Sequence, residues 1–171
     1  MIKKKSWSTR DKPNQHLIQD NFGLRITVFG AIGNCLTEPV FSLKHGTKSS
    51  NWVEFLHDVV AKLKPNTGKP ILFFDGLRSH MSKESLPTVV QYFRPLQNVP
   101  YSCAFNAIEA VWSVAKNNFV KLTMQLNHWY SDEEFYTLVR RSCTMIPRAT
   151  IDNLMRSNHA YIRSVLASIG E

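Results

Sequence analysis

The tetrapeptide Ile71-Leu72-Phe73-Phe74 runs without a polar break into Asp75-Gly76. Four consecutive apolar residues bounded by turn formers predict a strand buried on both faces, and such strands belong to sheets covered by helices on either side. A carboxylate at the carboxyl end of that strand stands where open α/β sheets place their ligands. The rest of the chain must then supply partner strands and covering helices.

It does so in a readable order. Leu24 to Phe29 alternates with the strand period, Gly33-Asn34 carries turn chemistry, and Val40 to Leu43 is a second extended run, which together predict an antiparallel hairpin. Trp52, Phe55, Leu56, Val59, Val60 and Leu63 share one helical face, with Asn51 and Glu54 resembling a capping box and Pro65, Asn66 and Gly68 ending the segment. A helix is expected over residues 82–93 and a short strand over Leu96 to Val99. Helical spacing returns from Ile108 to Leu122. Ser131 with Glu134 forms a capping-box pattern opening another helix, and Thr150 opens a last one whose Ile151, Leu154, Met155, Ile162, Val165, Leu166 and Ile169 share a face. Strands and helices in this order predict an α/β domain over residues 17–171, preceded by a basic arm over residues 1–16.

Composition removes several function classes. With 43% hydrophobic and 20% charged residues, the 171-residue chain is not of disordered type. No apolar run approaches the ~20 residues of a membrane helix, and the basic start has no apolar core behind it, so neither membrane nor secretory signal is expected. Cys35, Cys103 and Cys143 stand far apart and odd in number, which fits neither a disulfide framework nor a Cys-x-x-Cys metal site, and points to a reducing compartment. The formal net charge of +8 suits a polyanionic partner, with nucleic acid the default; a merely basic protein is the plainer alternative.

Two carboxylates carry the chemistry. Asp75 either binds a ligand or only caps the turn through Gly76. A Walker-type role for it needs a phosphate-cradling glycine loop, and Gly68-Lys69 alone does not make one. Glu109, three residues after Asn106, either reaches the same sheet edge or completes a capping box. Together the two acids suit a hard divalent cation, which takes oxygen ligands and a few carboxylates beside substrate phosphates.

These residues lie in a wider pattern. Asp75-Gly76 with His80, then Pro100-Tyr101-Ser102, Asn106, Ile108-Glu109, Trp112 and Lys116, resembles the core of the Tc1/mariner and IS630-like transposases. Between Asp75 and Glu109 lie 33 residues, an interval similar to that of the Tc1-like branch. Weaker likeness covers Ser6-Trp7-Ser8, Ile26 to Ile32 and Trp52 to Leu56. The resemblance implies an RNase H-like DDE domain with a mixed sheet flanked by helices. It also implies three acids holding two Mg²⁺ or Mn²⁺ ions, and cleavage followed by strand transfer on transposon ends and target DNA. Asp75 matches the second acid, His80 its accompanying histidine, and Glu109 the third.

The departures set further expectations. Cys103 and Ala107 stand where the family has prolines. Asp11 and Asp20 do not end apolar strands, so the first acid, and with it the first strand, has no counterpart here. The helix-turn-helix region found upstream in that family has none either. The expectation is an N-terminally incomplete domain, inactive alone, with a homo-oligomer or an upstream-encoded segment as possible partner. The alternative is a non-enzymatic DNA-binding or interaction protein derived from a transposon remnant. His80, Lys116, Lys3, Lys4 and Lys5 are candidate DNA contacts, each with a plainer reading: a helix-capping histidine, a solvated helix-face lysine, a mobile basic tail. The nucleus is the expected location in a eukaryotic host, the cytoplasm otherwise.

Overall fold

A computed structural model describes residues 26–126 and 130–169. The predicted hairpin is present: β1 (Thr27–Ala31) pairs antiparallel with β2 (Val40–Lys44), Thr27 opposite Lys44 and Ala31 opposite Val40. Its alternation sorts side chains onto two faces. Phe29 stacks on Phe55 at 5.5 Å between ring centroids and lies 5.8 Å from Trp52, both from α1 (Ser49–Ala61). Val28, Phe41 and Ile32 pack instead on a second core built from Val111, Ala115, Cys143, Ile146, Ile151 and Met155. That core belongs to α3 (Ile108–Met124), α4 (Asp132–Thr144) and α5 (Arg148–Ile169), with Ile146 between the last two. The hairpin is therefore the middle layer of a helix–sheet–helix stack. Gly30 makes that stacking possible: a Cβ there would lie 2.4 Å from the Trp112 ring of α3.

The apolar run forms β3 (Ile71–Phe74), which pairs in parallel with β4 (Arg94–Gln97) through a crossover containing α2 (Leu86–Tyr92). Helices cover both sides of the fold as expected, but the strands fall into two pairs, β1–β2 and β3–β4, rather than one continuous sheet among the described residues. Burial of β3 also departs from expectation. Phe74 is buried, whereas Ile71 is 57% and Phe73 37% exposed. Among the described residues only one edge of β3 is paired, and the face bearing Ile71 and Phe73 is exposed.

Local boundaries differ for identifiable reasons. Asn51 lies inside α1 and does not cap it; its amide donates to the carbonyls of His45 and Gly46, at 3.0 Å each, while Glu54 pairs with Lys44. The helix expected over 82–93 begins only at Leu86, because Pro87 lacks an N–H and is accommodated in a first turn. The last strand starts at Arg94 rather than Leu96. In its ladder the amides of Arg94 and Asn98 donate to Pro70 and Phe74, so Pro95 turns its missing N–H outward. The Ser131–Glu134 capping box is complete, with both reciprocal bonds formed. α5 opens at Arg148, directly after Pro147. The basic arm, Asp11 and Asp20 lie outside the described residues.

Candidate active site

Asp75 follows β3 directly, so the strand fixes its backbone while its side chain is 61% exposed. One carboxylate oxygen, Oδ1, accepts the Leu77 amide at 3.2 Å and lies 2.9 Å from His80 Nδ1. The first contact is the turn-capping role anticipated for a strand-end aspartate. The second is not a cap. His80 is buried in a 3-10 turn, its ring 4.0 Å from Trp52 and edge-on to Phe74 at 5.7 Å. Burial pushes the His80 pKa down, against the smaller opposing pull of the Asp75 carboxylate. The imidazole is therefore neutral near pH 7, and its Nδ1–H donates to Oδ1, since a carboxylate only accepts. Oδ2 of Asp75 has no protein donor among the described residues.

Glu109 is exposed in the first turn of α3, where negative charge complements the helix dipole. Asn106 organises that start without a reciprocal box: its Oδ1 accepts the Ile108 amide at 3.3 Å and its carbonyl accepts the Glu109 amide at 3.1 Å. The Glu109 carboxylate makes no ion pair or hydrogen bond among the described residues. The loop leading to it is tethered twice. Buried Asn98 donates to the Ser102 carbonyl at 2.9 Å, and Asn158 of α5 donates to the Ala104 carbonyl at 2.7 Å.

Asp75, His80 and Glu109 all line one cavity of about 1190 Å³, which also receives His159 from α5. Lys116 is exposed on α3 and lies outside that lining. Lys3, Lys4 and Lys5 fall outside the described residues. Trp112 packs on Gly30 and Phe41, which makes it core rather than a stacking platform. Asn98, Asn158 and His159 carried no local sequence signal: Asn98 acts by being buried, and Asn158 reaches a carbonyl 54 residues away.

Asp75 and Glu109 are the carboxylates among the residues that line this cavity. Among the described residues no group of three or more His, Cys, Asp or Glu side chains is placed to hold a metal, and no helix is long and apolar enough to cross a membrane. Two carboxylates with free oxygens suit magnesium or manganese, which are commonly bound by one or two carboxylates, water and substrate phosphate.

No curated protein matches the chain. The family model described as DDE superfamily endonuclease matches residues 1–127, a span that includes Asp75, His80, Glu109 and the loop between them. The α/β architecture agrees with the RNase H-like fold of such domains, and nuclease or transposase-type chemistry is the function that comes with it. On the strength of that match the chain belongs to the DDE superfamily of endonucleases.

Proposed function

We propose that this chain is a DDE domain of the Tc1/mariner type, that it binds DNA, and that Asp75 and Glu109 are its ligands for Mg²⁺ or Mn²⁺. The observation that supports this most is that Asp75, at the end of β3, and Glu109, in the first turn of α3, both line one cavity and both lie within the family match. Such ions, when bound, would polarise a phosphate oxygen and activate an attacking oxygen.

The chain's own groups prepare that site. His80 and the Leu77 amide hold one oxygen of Asp75, fixing the carboxylate's orientation and leaving the other oxygen without a protein donor among the described residues. Because burial keeps His80 neutral, it donates without adding a positive charge that would oppose a cation. His80 is thus a positioning residue in this reading rather than a DNA contact. Asn98, Asn106 and Asn158 set the loop that presents Glu109. The net charge of +8 supplies the attraction to a phosphate backbone. Nuclear residence, in a eukaryotic host, belongs to the same proposal.

Two carboxylates are one short of the three that a DDE centre uses, so the isolated chain is inactive in this proposal: a missing ligand weakens metal occupancy and misplaces the nucleophile. The net charge of +8 suits equally a second reading, a DNA-binding protein without catalysis. Incubating the full chain with supercoiled plasmid and Mn²⁺ tests both parts. DNA binding should weaken steeply with salt, and nicking should not exceed that of the Asp75→Ala and Glu109→Ala variants. Nicking abolished by those substitutions would overturn the inactivity while upholding the site. Absence of salt-dependent binding would overturn the DNA reading.

A further inference from the structure

The chain has five tyrosines, and four of them pack on another ring: Tyr92 on His57, Tyr130 on Phe119 and Phe135, Tyr136 on His45, and Tyr161 on Phe105. Tyr101 does not. Its relative exposure is 106%, and its side chain makes no ring contact or hydrogen bond among the described residues. Its backbone is unusual as well. Positive φ occurs at Gly46, Asn66, Gly68 and Tyr101 among the described residues, and of these Tyr101 alone is bulky. Glycine and asparagine tolerate that region, whereas a large side chain is strained in it.

A turn imposes the strain. The Ser102 amide donates to the Val99 carbonyl at 3.2 Å, closing four residues with Pro100 second and Tyr101 third, at φ +61°. That is the type II pattern, whose third position ordinarily takes glycine. Buried Asn98 donates to the Ser102 carbonyl at 2.9 Å, and Ser102 Oγ donates to the Pro100 carbonyl at 3.3 Å, so the turn is held from both sides. Its place in the fold is equally fixed. β3 and β4 run parallel with Phe74 opposite Gln97, so Asp75 and Asn98 leave the pair at the same end. Tyr101 follows three residues later, within about 11 Å of Asn98. Asn98 and Val99 before it, and Phe105 to Glu109 after it, line the same cavity as Asp75. The Tyr101 ring therefore stands clear of the protein on a turn that borders this cavity.

We infer that Tyr101 is a stacking platform for an unpaired nucleobase of the DNA strand that meets this cavity, a substrate-binding role that rests on the DNA reading above. A free aromatic face and a strained backbone both cost the fold, and such costs gather where a ligand is met. Every base offers a π-face, so the contact is tolerant of sequence. It discriminates strand state instead: a paired base is already stacked within its duplex, whereas an unpaired base has a face to give.

Fluorescence anisotropy of the full chain with a labelled mixed-sequence single strand, and with the matching duplex, tests it; EDTA in the buffer keeps divalent ions out of the comparison. Tyr101→Gly should weaken single-strand binding about tenfold and duplex binding less than about twofold, and Tyr101→Trp should retain the wild-type affinity for both. The slope of log affinity against log salt should be the same in all three proteins, because stacking releases no counterions. The Tm of Tyr101→Gly should equal or exceed that of the wild type, since glycine relieves the positive φ. Single-strand affinity unchanged in Tyr101→Gly overturns the platform while leaving DNA binding intact. An equal loss on single strand and duplex overturns it too, as does a lowered Tm, which would make the residue a support of the fold. Binding of neither DNA by the wild type removes the platform together with the DNA reading beneath it.

Discussion

The β1–β2 hairpin and the β3–β4 pair contain similarly apolar strands and end in opposite surroundings. The hairpin is closed on both faces, by Trp52 and Phe55 on one side and by Trp112 with the α3–α5 core on the other. The parallel pair is closed on one face only: Phe74 is buried and Leu72 packs on the α1 core, while Ile71, Phe73 and Leu96 stay exposed. Folding energy is therefore concentrated in the hairpin and its helices. The parallel pair leads into Asp75, a candidate ligand, and leaves Ile71, Phe73 and Leu96 exposed. Exposed apolar strand edges are a liability that proteins usually blunt or cover, and here they face a shared cavity.

Substitutions measure the contrast. The largest effect is expected at Phe55, fully buried beneath the hairpin, where Phe55→Ala should destabilise the fold by about 3–5 kcal/mol in denaturant titration. Next is Gly30→Val, which drives a side chain into the Trp112 ring and should cost about 1–3 kcal/mol, read as a lower Tm. Should Gly30→Val be silent, the hairpin is not clamped between two layers and the comparison fails.

A pH titration probes the hinge between the two regions, His80. Its pKa is lowered in the folded state, so the unfolded chain binds the proton more readily. The stability this contributes is complete above the ordinary histidine value of about 6.5 and declines as pH falls below it, toward the lowered folded value. His80→Gln should flatten that part of the stability–pH curve; an unchanged slope would place the titration elsewhere. The smallest effect is expected at Ile71, where Ile71→Thr should change stability by less than about 0.5 kcal/mol in the isolated chain. A large loss there would mean that β3 is already covered.

How much could be read from residues alone follows the same division. The hairpin, the α3 face and the Ser131–Glu134 box were legible because alternation, helical spacing and capping act over a few residues. Asp75 and Glu109 stand out in the sequence through the motif around them, and both line one cavity. Exposure of Ile71 and Phe73 was not, since an apolar run states what a strand needs and not whether a neighbour supplies it. Asn51 was misassigned because its amide answers to the carbonyls of the Gly46 turn, where φ is +78°, rather than to the helix start. The burial of His80 beneath Trp52, and the tether from Asn158 to Ala104, join residues distant in the chain and leave no local mark.

The central claim is that Asp75 and Glu109 grip one divalent ion together, and Mn²⁺ binding measured by electron paramagnetic resonance tests it most directly. The account predicts a site in the full chain whose affinity falls about tenfold or more in Asp75→Asn and likewise in Glu109→Gln. Affinity that survives either substitution unchanged would contradict it.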